Sequence, residues 1–135
     1  MFDLKKMNIA DLSEKGYEFE LKIPEIGTPT GAFLTVKGDN SKTVRNYTKK
    51  QFEVMQSKAK QARKRGKEVE EITLSEAEDM AVEAAIVRLV DWKGIVEDGK
   101  EVKFNEENVR RILKEHPWIR QAIMDESEQL SNFVK

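Results

Sequence analysis

The sequence predicts a mainly α-helical α+β fold, with three to four helices and a small N-terminal antiparallel β-hairpin. Three observations support this prediction. Residues 17–23 alternate strictly between apolar and polar side chains, which is typical of a half-buried strand. Residues 75–91 form the longest apolar helix pattern in the chain. At 135 residues the chain is expected to fold as a single domain, residues 1–135, with one modest core.

The predicted hairpin covers residues 17–37. Its first strand ends at Pro24, and the loop that follows carries two prolines and two glycines within PEIGTPTG. Its second strand is AFLTVK, residues 32–37, with alternate residues expected to face the core. Because an isolated hairpin is marginally stable in water, this one must pack on the helices or pair with another strand.

Residues 42–65 predict a helix rich in lysine and arginine, the basic helix. Either Asp39 or Ser41 is expected to cap it, and Gly66 is expected to end it. Spacings of three and four residues place four apolar side chains in one stripe: Phe52, Met55, Ala59 and Ala62.

The central helix, residues 75–91, is expected to begin with a capping box in which Ser75 and Glu78 exchange hydrogen bonds. Between Met80 and Val90 the only charged residues are Glu83 and Arg88. A helix that is apolar nearly all round is expected to be the element against which the rest of the domain packs.

After the central helix, the segment Trp92–Ile95 is expected to break the helical pattern. Asp98-Gly99 lies between two short apolar runs and indicates a tight turn or a hairpin. Two further helices are predicted. The first covers residues 105–115 with Asn105 as its cap, the second covers residues 117–131, and Pro117 divides them.

Charge is segregated along a nearly neutral chain. Residues 42–67 hold ten lysines or arginines against one acid, whereas residues 68–83 hold seven acids and no base. This separation suggests complementary faces, either within the fold or between subunits.

The residues offer little for catalysis. The chain has no cysteine, so disulfides and thiolate sites are excluded and a cytosolic setting is the default expectation. The one histidine, His116, precedes a proline at a predicted helix boundary, which favours a structural role over a general base or a metal ligand. Neither a glycine-rich phosphate loop nor an apolar run long enough to span a membrane is present. We therefore expect no enzyme activity, no cofactor and no metal.

Two features leave alternatives open. The run KAKQARKRGK, residues 58–67, could bind the phosphates of a nucleic acid, but it has no interleaved aromatic residue and acids follow it at once. It could equally be a solvated helix end or a face for an acidic neighbour. For Trp92 we expect core packing, whereas Trp118 is compatible with either the core or a binding surface.

Several short motifs occur in a definite order: LTVKGDNS from Leu34, LVDWKGI from Leu89, DGK at 98–100, VKFNEENVRRIL from Val102, PWIRQAI from Pro117, and NF at 132–133. In this order the sequence resembles the tail assembly chaperones of long-tailed (siphovirus-type) bacteriophages over about residues 30–134. The matched positions are expected to be structural: Trp92, Gly94, Asp98, Gly99, Phe104, Pro117, Trp118 and Phe133.

The resemblance implies a function without catalysis. Such chaperones work in the cytoplasm of the infected bacterium and are absent from the mature virion. They bind the tape measure protein, keep it soluble and help to recruit the tail tube protein. They often form head-to-tail oligomers, and many also exist as a longer, frameshifted form.

A head-to-tail oligomer gives the charge blocks a specific role. We expect Arg63, Lys64 and Arg65 of one subunit to meet an acidic face of the next, formed by Glu70, Glu71 and Glu78. Two rival functions stay open, namely a small nucleic-acid-binding regulator that uses the basic helix, and a structural tail or head completion protein.

Overall fold

The structure, a computed structural model, describes residues 1–68 and 71–134. In these ranges it contains five α-helices, five short strands and one 3-10 turn, which is an α+β arrangement. The elements are α1 (Ile9–Lys15), β1 (Tyr17–Lys22), β2 (Pro29–Val36), α2 (Lys42–Lys64), α3 (Leu74–Arg88), β3 (Leu89–Lys93), β4 (Val96–Glu97), β5 (Lys100–Glu101), α4 (Glu106–Glu115), α5 (Pro117–Glu128) and the turn Leu130–Asn132.

The predicted N-terminal hairpin is part of a three-stranded antiparallel sheet, so it pairs with another strand, one of the two ways in which it was expected to be stabilised. The strand order of the sheet is β1-β2-β3, so the N-terminal hairpin gains a third strand from the middle of the chain. The register places Phe19 beside Leu34, and Leu34 beside Trp92. Leu34 and Val36 of the central strand β2 are completely buried, because they belong to the hydrophobic core that the sheet forms with the helices.

The predicted central helix, residues 75–91, begins within one residue of the observed helix but extends too far at its C-terminal end. The helix begins at Leu74 and ends at Arg88, and the chain turns directly into β3. Leu89 and Trp92 of that strand are buried. The backbone of β3 pairs with β2, and this tertiary pairing outweighs the local helical pattern of the segment.

The caps of the helices follow the sequence only in part. Thr73, rather than Ser75, caps α3, because its hydroxyl accepts the N–H of Glu76 at 3.1 Å. Thr73 and Glu76 have the same spacing in the sequence as Ser75 and Glu78, two positions earlier in the chain. Ser41 caps α2 and Asn105 caps α4, as predicted. The segment before β1 forms a short helix, α1, that was not predicted from the sequence. The number of helices therefore exceeds the three to four predicted.

The hydrophobic core lies between the sheet and the two C-terminal helices. Helix α4 contributes Val109, Ile112 and Leu113, and α5 contributes Ile119 and Ile123. Helix α3 was expected to be the element against which the rest of the domain packs. In the structure, Val82 and Ala85 are the apolar side chains of α3 that are fully buried. Its first turns are open to solvent, with Leu74 86% exposed and Met80 45% exposed.

The Asp98-Gly99 turn does form a hairpin, with β4 and β5 as its two arms. Asp98 and Gly99 both adopt positive φ angles, 50° and 78°, as a type I′ turn requires. A bidentate ion pair between Arg111 of α4 and Glu97 ties this hairpin to the body, and it lowers the pKa of the Glu97 carboxyl. Within the ranges that the structure describes, no helix is long and apolar enough to cross a membrane.

Candidate partner-binding surface

The N-terminal turn of α2 is fixed firmly to the body of the protein. The hydroxyl of Ser41 accepts the N–H of Val44 at 3.2 Å, and the Val44 side chain is buried. The N–H of Thr43 donates to Glu14 of α1 at 2.6 Å, and Lys37 lies 3.1 Å from the same carboxylate. A capped and charge-paired first turn therefore sets the direction in which α2 leaves the body.

The Glu14 carboxylate is stabilised in its charged form. The hydrogen bonds from Thr43, followed by the contact with Lys37, lower the pKa of Glu14 from its ordinary value of 4.5 to about 2, against a smaller opposing effect of burial. A negative charge at the first turn of a helix also complements the positive end of the helix dipole. Glu14 is thus an electrostatic anchor for α2 at neutral pH.

Beyond its first turns α2 has no buried residue. Every side chain from 49 to 64 is exposed or half-buried, over roughly four helical turns. The predicted stripe exists in sequence but does not pack into the core, since Phe52 is 60% exposed and Met55 is 62% exposed. Ala59 and Ala62 are half-buried. The helix extends beyond the body that carries it, and within residues 1–68 and 71–134 the side chains of Phe52 and Met55 remain mostly exposed.

Basic side chains surround this apolar stripe. From Lys49 to Arg65 the helix and its cap carry seven exposed lysines or arginines: Lys49, Lys50, Lys58, Lys60, Arg63, Lys64 and Arg65. Within residues 1–68 and 71–134, none of them forms an ion pair with a carboxylate. We call the stripe and its basic rim, residues 49–65, the α2 arm.

The charged residues predicted to join neighbouring subunits occupy two places. Arg63, Lys64 and Arg65 lie exposed at the C-terminal end of the α2 arm. Glu71 is exposed just before α3, Glu78 is half-buried within α3, and Glu70 lies outside the described residues. The described residues contain no ion pair between the two groups, so their pairing between subunits stays a prediction.

The motif residues that carried the family resemblance lie in the body and stabilise the fold. The indole N–H of Trp92 donates to the carbonyl of Val102 at 2.9 Å, and the ring meets Phe104 edge to face at 5.2 Å. Gly94 has a φ of +80°, and a Cβ at this position would lie 2.5 Å from the carbonyl oxygen of Gly31. Only glycine fits there, because the close neighbour is backbone.

The remaining motif residues belong to the C-terminal part of the chain. Pro117 occupies the first turn of α5, where its missing N–H costs nothing. Trp118 is half-buried against the core. Phe133 is buried and meets Tyr17 of β1 edge to face at 6.1 Å, so the end of the chain closes over the sheet.

Sequence reasoning missed a buried polar cluster. Arg88 at the end of α3 donates to Asp39 at 3.0 Å and to the carbonyl of Ala84 at 2.6 Å. The Ser127 hydroxyl lies 2.7 Å from the carbonyl oxygen of Lys37 and 2.9 Å from Asp39. The cluster joins α3, α5 and the end of β2. Its one sequence signal was an arginine near the end of an otherwise apolar helix.

Potential metal ligands do not cluster in the part of the chain that the structure describes. No group of three or more His, Asp or Glu side chains there is placed to hold a metal ion. His116 lies between α4 and α5, where it makes no side-chain capping hydrogen bond. The prediction that it serves a helix boundary agrees with this position.

The fold and the α2 arm define a small α+β protein with an exposed helix of mixed apolar and basic character. A comparison with known families adds the origin of the chain. The sequence model described as "YdaY prophage protein" matches residues 45–135, which is two thirds of the chain. The chain therefore belongs to the YdaY prophage protein family and is phage-derived. No curated protein and no solved structure matches it.

Proposed function

We propose that this protein is a tail assembly chaperone that binds the tape measure protein of its phage. It keeps that partner soluble and helps to recruit the tail tube protein in the cytoplasm of the host, without catalysis and without entering the mature virion. One observation carries the proposal: a prophage protein presents a long helix, α2, whose apolar stripe is exposed. The family match supports the phage setting, and the motif order supports the class of chaperone.

The α2 arm has the physical character that such a partner requires. An exposed stripe at helical spacing is suited to the apolar face of another helix, in the manner of helix-to-helix packing. Phe52 and Met55 supply the apolar contact, and methionine adapts to partners of varied shape. Their modest area favours many weak contacts along a long helical protein over one tight contact.

Self-association is the second part of the proposal. The basic end of the α2 arm and the acidic start of α3 bear opposite charges on one chain, so head-to-tail contact between copies would place attractive charges together. Arg63, Lys64 and Arg65 would contact the acids Glu70, Glu71 and Glu78 of the next copy. This contact would arrange several chaperones along one tape measure protein.

Co-expression with the tape measure protein tests the first part. The wild-type chain is expected to co-purify with that protein and to raise its soluble yield. The double substitution Phe52→Ser and Met55→Ser is expected to abolish both effects while the fold stays intact by circular dichroism. Ile26→Ser, which alters an equally exposed apolar residue in the β1–β2 loop, is the matched control and is expected to behave as wild type. Equal capture by the wild type and the double variant would refute the role of the α2 arm.

Light scattering tests the second part. Reversal of Arg63, Lys64 and Arg65 to glutamate is expected to shift the oligomer distribution towards monomer. Reversal of Lys5, Lys6 and Lys103 to glutamate, three exposed lysines outside the α2 arm, makes the same change in net charge and is the control. An unchanged size distribution in the first variant would exclude this interface.

A nucleic-acid-binding regulator is the second candidate, because the basic residues of the α2 arm are exposed and lie along one helix. A gel shift with a salt titration separates the two functions. Binding that persists at physiological salt supports the regulator, whereas binding that disappears as salt rises reflects nonspecific attraction to phosphates.

A structural tail or head completion protein is the remaining alternative. Mass spectrometry of purified phage particles distinguishes it from the proposed chaperone. The chaperone is expected to be absent from the particles, and a stoichiometric presence would favour the structural role.

A further inference from the structure

A groove separates the open edge of the sheet from the last long helix. Strand β1 forms one wall with Tyr17 and Phe19, and α5 forms the other with Trp118 and Ala122. The volume of the groove is about 620 Å³. The wall from α5 consists of residues spaced as one helical face, since Trp118, Gln121, Ala122 and Asp125 all line it.

The backbone of β1 is available on the groove side. Strand β1 pairs with β2 on one side only and is the outermost strand of the sheet. Within residues 1–68 and 71–134, no backbone hydrogen bond from another element reaches its free edge. In such an edge strand, every second residue presents both its N–H and its carbonyl to an incoming strand.

The charges around the groove select the kind of strand that fits. Four carboxylates line it, from Glu18, Glu20, Asp125 and Glu126, against the single cation Lys22. Lys93 lies 3.2 Å from Glu18, and the N–H of Gly31 donates to Glu20, so these two carboxylates are partly satisfied. Asp125 is exposed, and within the described residues its one polar contact is the Gln121 amide at 2.8 Å.

The same charges disfavour a second copy of this strand. If β1 paired with β1 of another copy in antiparallel fashion, with the register centred on residue 18, 19 or 20, a glutamate of one copy would lie directly opposite a glutamate of the other. Like charges placed directly opposite each other destabilise a strand pair.

We propose that the β1–α5 groove binds an extended polypeptide segment with basic side chains, which adds to the sheet as a fourth strand. The backbone of the segment pairs with β1, its apolar side chains lie on Phe19, Trp118 and Ala122, and its lysines or arginines meet the carboxylates at the rim. The six residues of β1 set the length of the bound segment at about six residues. This site is separate from the α2 arm and does not depend on the function proposed above.

A peptide titration followed by NMR tests the proposal on the full chain. The probe is acetyl-Lys-Val-Lys-Val-Lys-Val-Lys-amide, with the glutamate analogue acetyl-Glu-Val-Glu-Val-Glu-Val-Glu-amide as its opposite. The basic peptide is expected to shift the amide resonances of β1 and the indole resonance of Trp118. The basic peptide is expected to bind at least about tenfold more tightly than the acidic one. Equal binding of both peptides, or shifts confined to the α2 arm, would overturn the proposal.

Two further measurements separate strand addition from nonspecific attraction. A basic peptide with N-methyl groups on all its backbone nitrogens has no N–H to donate from either edge, and it is expected to lose the β1 shifts. Gln121→Lys with Asp125→Lys is expected to weaken the unmodified peptide about tenfold. Glu128→Lys with Gln129→Lys makes the same change in net charge outside the groove and is expected to leave binding unchanged. Full binding of the N-methylated peptide would exclude strand pairing.

Self-pairing has its own readout. Sedimentation of the wild type without peptide, compared with the 121/125 variant, reports whether copies associate through this groove. The two proteins are expected to have the same oligomeric state. If the wild type forms a dimer and the 121/125 variant is a monomer, the groove binds a second copy of the chain and the proposal is overturned.

Discussion

Helix α2 is longer than α5 but has fewer buried side chains. Helix α2 has 23 residues and one buried side chain, Val44, whereas α5 has 12 residues and buries Ile119, Ile123 and Ser127. The short helix is part of the core, and the long one is attached at one end and exposed along the rest. Since tertiary packing supplies most helical stability in proteins, α2 is expected to gain stability from a partner. The contrast separates the part of the chain that maintains the fold from the part available for recognition.

The largest effect is expected in the core of the body. Ile123→Ala removes a completely buried side chain and is expected to cost about 3 kcal/mol of unfolding free energy. Phe52→Ala on the α2 arm is expected to cost no more than about 0.5 kcal/mol, because its side chain is already in water. Chemical denaturation of both variants measures the difference. Similar losses would mean that α2 packs on the body as firmly as α5 does.

A second effect concerns the buried polar cluster. Asp39→Asn leaves Arg88 buried without a carboxylate and is expected to cost about 2 kcal/mol, less than a fully buried pair because Asp39 is partly exposed. Arg88→Met combined with Asp39→Asn is expected to recover part of that loss, since no unpaired charge remains. Thermal unfolding of the single and double variants provides the measurement. A double variant less stable than the sum of its parts would contradict this explanation.

The anchor of α2 predicts a dependence on pH. The pKa of Glu14 is about 2 in the folded protein and 4.5 ordinarily, so its contribution to stability is complete above pH 4.5 and is lost as the pH falls towards 2. Allowing for solvent screening of a side chain that is 32% exposed, we expect a loss of about 1 kcal/mol. Unfolding at several pH values, with Glu14→Gln as the comparison, measures it. The variant is expected to lack the fall in stability between pH 4.5 and 2 that Glu14 causes, and a profile identical to that of the wild type would rule out the anchor.

The smallest effect is expected within the α2 arm. Ala59→Gly makes helix formation less favourable by about 1 kcal/mol, and this effect is confined to the arm. The denaturation midpoint of the protein is therefore expected to stay unchanged, while the helical signal in circular dichroism decreases. Ala85→Gly in α3, at a fully buried position, is the matched control and is expected to lower the midpoint. A lower midpoint for Ala59→Gly would show that the arm unfolds together with the body.

The sequence-based predictions were accurate where the structure depends on neighbouring residues and failed where it depends on residues far apart in the chain. Ser41, Asn105, Pro117 and the Asp98-Gly99 turn were identified correctly because caps and tight turns depend on a few neighbouring residues. The end of α3 at Arg88 was missed, because the pairing of β3 with β2 joins residues more than fifty positions apart. The Arg88–Asp39 pair was missed for the same reason.

The candidate sites divide in the same way. The stripe from Phe52 to Ala62 was visible as a period in the sequence, but its exposure was not, since periodicity reports a face and not what covers it. The β1–α5 groove could not be foreseen, because its two walls lie about a hundred residues apart along the chain.

The sequence by itself determined much of the local structure of this protein: the alternating strand β1, the caps of α2 and α4, the turn at Asp98-Gly99 and the segregation of charge. Each of these depends on propensity or periodicity within a few residues. The tertiary structure alone decided that Leu89–Lys93 becomes the third strand, that Arg88 is buried against Asp39, and that α2 extends beyond the core. These outcomes depend on which distant segments meet, and that depends on packing and pairing energies summed over the whole chain.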